Sequence, residues 1–174
     1  MPSYTEDEVR QLIDRDEIRQ LMYRYGHTWD NLDFEGWADV FTEDGTYWEG
    51  GGPVIKGREA LIAYAQDTGP RFNGRFHIVT NQYVAVDGDT AKAHSYFLIV
   101  EGLTPVLSGT YDDDVVRTPK GWRFAQRVVT CLFPAGFPIA GNDMASWLFT
   151  PGVGGGWQHR SKWRANQYNL PGLV

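Results

Sequence analysis

The sequence predicts an α+β domain in which helices come first and a meander of long strands follows, the helices covering one face of a curved antiparallel sheet. Three observations lead there. Apolar residues recur at helical spacing up to about residue 41, four long runs with strand character follow from Arg75 onward, and turn residues punctuate those runs. A chain of 174 residues without internal repeats suits one compact unit.

Thr5-Glu6-Asp7-Glu8 reads as a capping box, and Val9, Leu12 and Ile13 form the apolar stripe of the helix it opens. Asp14-Arg15-Asp16-Glu17 offers a second cap, followed by Ile18, Leu21, Met22, Tyr25 and Trp29 at helical spacing. Asp33 can cap a third, short helix bearing Phe34, Trp37 and Phe41. After a turn at Glu43-Asp44-Gly45, Thr46-Tyr47-Trp48 reads as a strand, and Gly57 introduces a helix carrying Ala60, Leu61 and Tyr64. Phe76 to Val86 and Thr90 to Val100 flank Asp87-Gly88-Asp89 as a hairpin. Leu107 to Val116 and Trp122 to Leu132 flank Thr118-Pro119-Lys120-Gly121 as another. The predicted α+β domain covers residues 1–132. Residues 133–174, rich in Pro, Gly and Trp and including Trp147, Trp157 and Trp163, read as a tail that packs on the same or a neighbouring subunit, the alternative being a partly ordered terminus.

Composition narrows the function. A formal net charge of -6 removes the general attraction for nucleic acid and anionic membranes. The acidic first residues do not read as a signal peptide, and the longest uncharged stretch, Val128 to Asn142, is too short for a membrane helix; the expected location is the cytoplasm. The single cysteine, Cys131, builds neither a disulfide framework nor a Cys-rich zinc site. Nine Phe, nine Tyr and seven Trp point either to a core built from rings or to a cavity lined with them.

Of the four histidines, none is paired at metal-ligand spacing, so no metal is expected. Asp112-Asp113-Asp114 reads as a solvated strand end. His77, near the start of a strand, can point into the mouth of a curved sheet, where Asp30 at the end of the covering helix can reach its ring. Such a pair is a proton-transfer device; the alternative is a structural histidine beside a capping aspartate. Arg127 shares strand parity with Arg123, Ala125 and Val129, and either anchors a carbonyl or phenol or forms an ion pair on the sheet. His94 falls on the strand face opposite Ala93 and Ser95 and is given no catalytic role, His27 suits a helix surface, and nothing constrains His159.

Asp16-Glu17-Ile18, Tyr25, Asp30, Asp33, Trp37, Phe41-Thr42-Glu43-Asp44-Gly45, Gly57, His77-Ile78-Val79-Thr80-Asn81, Gly88-Asp89, Gly109-Thr110-Tyr111 and Gly121-Trp122-Arg123 together resemble the SnoaL-like branch of the nuclear transport factor two-like superfamily. Within it the likeness is to the scytalone dehydratases and hexachlorocyclohexane dehydrochlorinases. The resemblance implies a cone-shaped α+β barrel with an apolar cavity, and a cofactor-independent lyase using an Asp–His dyad, here Asp30 and His77. It sets Tyr25 where the dehydrochlorinases have a lysine, Arg127 on their pocket arginine, Tyr47 on a pocket aromatic, and Phe72 and Tyr111 on further wall positions, with Trp29 as another wall ring. A phenol in place of the lysine disfavours halide elimination and favours a substrate oxygen that accepts a hydrogen bond. The implied protein is a homo-oligomer, a trimer ahead of a dimer, acting on an aromatic or polyketide-like hydroxy compound. Isomerase or cyclase chemistry, a small subunit of a ring-hydroxylating dioxygenase, and a ligand-binding domain are the rivals.

Overall fold

The computed structural model describes residues 3–50 and 52–132. The predicted tail, with Trp147, Trp157, Trp163 and His159, lies outside the described residues.

Helix α1 (Glu6–Asp30) opens with the predicted capping box: Thr5 Oγ1 accepts from Glu8 N at 3.2 Å and Glu8 Oε2 accepts from Thr5 N at 2.8 Å. It then runs without interruption, so the second cap is not used. No Gly or Pro breaks the chain there, and Asp14 spends its carboxylate on tertiary partners, accepting from Arg117 Nη2 at 2.7 Å and Trp122 Nε1 at 3.3 Å. The packed stripe begins at Asp14 and continues through Ile18, Leu21, Met22, Tyr25 and Trp29, which leaves Val9, Leu12 and Ile13 exposed, contrary to expectation.

Asp33 caps α2 (Phe34–Ala38), its Oδ1 accepting from Gly36 N at 2.9 Å. That helix is shorter than predicted, and Phe41 instead opens strand β1 (Phe41–Glu49). Glu43-Asp44-Gly45, predicted as a turn, lies in this strand where its pairing with β6 shifts register between Phe41 and Thr46. Strand β2 (Ile55–Lys56) leads to Gly57 and helix α3 (Arg58–Thr68), followed by a 3-10 turn at Gly69–Phe72.

Strands β3 (Arg75–Asp87), β4 (Thr90–Glu101), β5 (Thr104–Thr118) and β6 (Gly121–Cys131) complete a curved six-stranded sheet of order β2-β1-β6-β5-β4-β3, antiparallel throughout except for β1 beside β6. Alternation sends Ala93, Ser95, Phe97 and Ile99 of β4 to the covered face. In β6 the alternation breaks: Asp114 pairs with Gln126 but Val115 pairs with Phe124, so Ala125 is an extra residue. Trp122 and Phe124 are therefore buried before the bulge and Arg127 and Val129 after it, and the predicted shared parity of Arg127 with Arg123 and Ala125 does not hold.

Rings make the core. Trp37, fully buried, has Trp29, Phe41, Tyr47 and Tyr25 around it at centroid distances of 5.0, 5.2, 5.5 and 5.6 Å. Phe97 stacks on Tyr111 at 4.4 Å by crossing over Gly109, where a Cβ would stand 2.6 Å from the Phe97 ring and 2.2 Å from Thr130 O. Gly109→Ala is expected to cost about 1–3 kcal/mol through overpacking, read by urea unfolding.

Candidate functional site

Asp30 is the last residue of α1 and His77 the third of β3. Their elements meet closely at Gly26, where a Cβ would lie 3.3 Å from His77 Cβ, so the missing side chain lets the helix end settle against the strand. Both Asp30 oxygens then hold His77. Oδ1 lies 2.6 Å from Nδ1 and Oδ2 accepts from the His77 backbone N–H at 2.8 Å. The two side chains are 16% and 5% exposed. With Nδ1–H donated to the carboxylate, the lone pair of Nε2 is left as the basic position of the ring.

His77 opens onto a cavity, and Tyr25, Trp29, Tyr47, Phe72 and Tyr111, all predicted as wall residues, line it too. The rings stand so close that the space measures about 20 Å³, room for one water. Ring core and ring-lined cavity, alternatives on composition, are one continuous cluster: Tyr25 lies 5.6 Å from Trp37 on one side and 6.1 Å from His77 on the other.

Burial, opposed by the nearby Arg127 charge, pushes the Tyr25 phenol up to about 12. Burial also raises Tyr47, Tyr64 and Tyr111, with the charge of Glu49 adding to the rise at each. At neutral pH these four are hydrogen-bond donors. Their raised values also bear on stability. A phenol that holds its proton more tightly when folded contributes stability that is intact below its ordinary value of 10.0 and is lost as pH rises toward the folded value. The melting temperature is therefore expected to fall between pH 10 and about 12 in calorimetry, and more shallowly in Tyr25→Phe.

Of the two places expected for Arg127, the pocket wall and an ion pair on the sheet, it takes the second. It does not line the cavity; it is fully buried behind the Tyr25 and Tyr111 rings, with its guanidinium carbon 4.1 and 4.2 Å from their centroids and 4.0 Å from that of Phe124. Its Nε and Nη2 donate to Asp113 Oδ1 and Oδ2 at 2.8 and 2.7 Å. The ion-pair alternative is thus the one observed. Asp113 in turn is 2% exposed, which corrects its reading as part of a solvated strand end. Strand parity carried the signal: Tyr111, Asp113 and Val115 share one face.

Sequence reasoning also missed Glu49. It lines the cavity and accepts from Tyr64 Oη at 3.0 Å and Tyr47 Oη at 3.3 Å, both on Oε2, while the Cys131 thiol meets Oε1 at 3.5 Å. A strand ending at Trp48 gave no reason to consider the next residue. On the other face of the sheet His94 Nδ1 lies 2.6 Å from Asp112 Oδ1, the same contact as at His77. His94 is not among the residues lining the cavity, so an Asp–His contact does not by itself mark a proton-transfer site; the cavity before the imidazole does. Among the described residues no group of three His, Cys, Asp or Glu could hold a metal ion, and no helix is long and apolar enough to cross a membrane.

Comparison with known proteins agrees with this architecture. The model of the SnoaL-like domain matches residues 10–128. An uncharacterized protein of Mycobacterium tuberculosis is 35% identical over 138 residues, 72% of this chain and 90% of that one. A solved structure of an NTF2-like protein with a cystatin-like fold from Novosphingobium aromaticivorans is 31% identical, with TM-score 0.67 over 82% of this chain and 93% of that one. A second Mycobacterium tuberculosis protein, of unknown function, superimposes with TM-score 0.70 at 29% identity over 88% and 89% of the two chains.

Proposed function

The chain belongs to the SnoaL-like family, and within it we propose that this protein is a cofactor-independent lyase of the dehydratase type acting on a small aromatic or polyketide-like hydroxy compound. The observation that carries the reading is the double hold of Asp30 on His77, which leaves Nε2 basic at the wall of a ring-lined cavity.

In this mechanism Nε2 of His77 removes a proton from the carbon beside a substrate carbonyl. The electrons pass first to the carbonyl oxygen, giving an enolate, and then form the new double bond as the hydroxyl on the neighbouring carbon leaves. The imidazolium, stabilised by Asp30, returns the proton to that hydroxyl, so the products are the unsaturated compound and water and the base is regenerated. Tyr25, kept protonated by burial, donates to the carbonyl oxygen while it gains charge. The Tyr47 hydroxyl, by contrast, lies 3.3 Å from Glu49 Oε2. Arg127 acts at one remove, its charge beneath the Tyr25 ring strengthening that phenol as a donor. Trp29, Phe72 and Tyr111 shape a flat slot, and a space of about 20 Å³ admits a substrate only as its wall rings move apart. We assign the working protein as a homo-oligomer in the cytoplasm.

The test is to incubate the purified full chain with cyclic aromatic β-hydroxy ketones in deuterium oxide. Growth of the conjugated enone absorbance is expected, together with deuterium entering the carbon beside the carbonyl of recovered substrate. Neither signal above the rate of a His77→Ala control across the panel would remove the reading.

A further inference from the structure

Glu49 is the only carboxylate among the described residues that line the cavity, and the mechanism above does not use it. It ends β1, while His77 stands on β3, at the far end of the strand order; the curved sheet brings the two to one cavity. Three elements deliver donors to it: Tyr47 from β1, Tyr64 from α3 and Cys131 from β6. These bonds determine what this wall offers a ligand. Both phenols reach Oε2, and Tyr47 also meets the hydroxyls of Tyr25 and Tyr64, so these groups form one hydrogen-bonded cluster around the carboxylate. Among the described residues Oε1 meets only a thiol, a weak donor, at 3.5 Å, and a carboxylate oxygen accepts two hydrogen bonds. A carboxylate with one oxygen so lightly engaged, set among rings that exclude water, attracts a hydrogen-bond donor and repels an anion.

We propose that Glu49 is a specificity-determining residue that takes the hydrogen of a neutral hydroxyl or amine group on the substrate and excludes carboxylates and phosphates from the cavity. The proposal rests on the reading of this cavity as the substrate site, and it adds that the substrate carries a donor group beyond the one lost as water.

Calorimetric titration of the full-length protein with 2-naphthol, 2-naphthoate and the 2-naphthylmethylammonium cation tests it without requiring turnover. Wild type is expected to bind the naphthol and the cation at least about tenfold more tightly than the naphthoate. Glu49→Gln, which keeps the shape and removes the charge, is expected to bring naphthol and naphthoate within about threefold of each other. Tyr64→Phe and His77→Ala are expected to keep the wild-type preference, since neither removes the carboxylate. Equal or tighter binding of naphthoate by wild type, a preference unchanged in Glu49→Gln, or no binding of any probe would overturn the proposal. The order of the three probes on wild type stands as evidence even where Glu49→Gln fails to fold. A His77→Ala protein that keeps its turnover would remove the base, while the probe order would still decide the role of Glu49.

Discussion

His77→Ala is expected to lower dehydration by about 10²–10⁴-fold, the range a positioned general base contributes, while circular dichroism and melting stay close to wild type. Removing the ring takes away Nε2 but leaves the backbone N–H of His77 bonded to Asp30 Oδ2, so the junction of α1 and β3 keeps one of its two ties. Asp30→Asn has a more specific consequence. The carboxylate accepts twice, from Nδ1–H and from the backbone N–H, each on a different oxygen. An amide has one oxygen for those two donors. Either the backbone bond is lost, or the amide NH₂ faces Nδ1 and pushes the ring proton to Nε2, where it blocks proton removal. The rate is expected to fall by about 10²-fold or more, with nitrogen NMR of the imidazole reporting the changed tautomer. Near-normal turnover by folded His77→Ala would end the assignment, whatever Asp30→Asn does.

How much of this was legible beforehand follows from how local each signal is. Capping boxes, turn residues and strand alternation act within a few residues, and so the four long strands and the Thr5 and Asp33 caps could be read directly. Asp14 misled because a good capping sequence and a buried acceptor look alike until Arg117 and Trp122, about a hundred residues away, are seen to meet it. The extra residue at Ala125 changes which face Arg127 occupies, and nothing in Arg123-Phe124-Ala125-Gln126 announces it. Asp30 and His77 could be paired on sequence because each sits near the end of a readable element and the resemblance sets both on a dyad, and the structure brings the two into contact. Glu49 was lost because β1 continues past the point where its apolar residues stop, and only the closure of the sheet gives that position a role.

The buried pair Asp113–Arg127 sets the second large expectation. Both side chains are fully enclosed, two parallel hydrogen bonds join them, and three rings close over the guanidinium. Burial works against the Arg127 charge, but Asp113 more than offsets it and raises the pKa of the guanidinium above its ordinary value. Removing either partner should cost about 3–5 kcal/mol, a large share of the stability of a domain this size. The two removals are not equivalent, however. After Asp113→Ala the guanidinium stays charged at any accessible pH and its burial goes uncompensated. After Arg127→Met the remaining carboxyl, already raised by burial, can escape by taking a proton. Because its folded pKa lies above the unfolded one, the Arg127→Met protein is expected to keep most of its stability in acid and to lose it as pH rises through that folded value. Urea midpoints at pH 4.5 and 7 should therefore differ more for Arg127→Met than for Asp113→Ala. The double variant Asp113→Leu, Arg127→Met should recover much of the loss, since an apolar pair leaves no charge to solvate. An Asp113→Ala protein that unfolds at the wild-type urea concentration would show the pair to be dispensable.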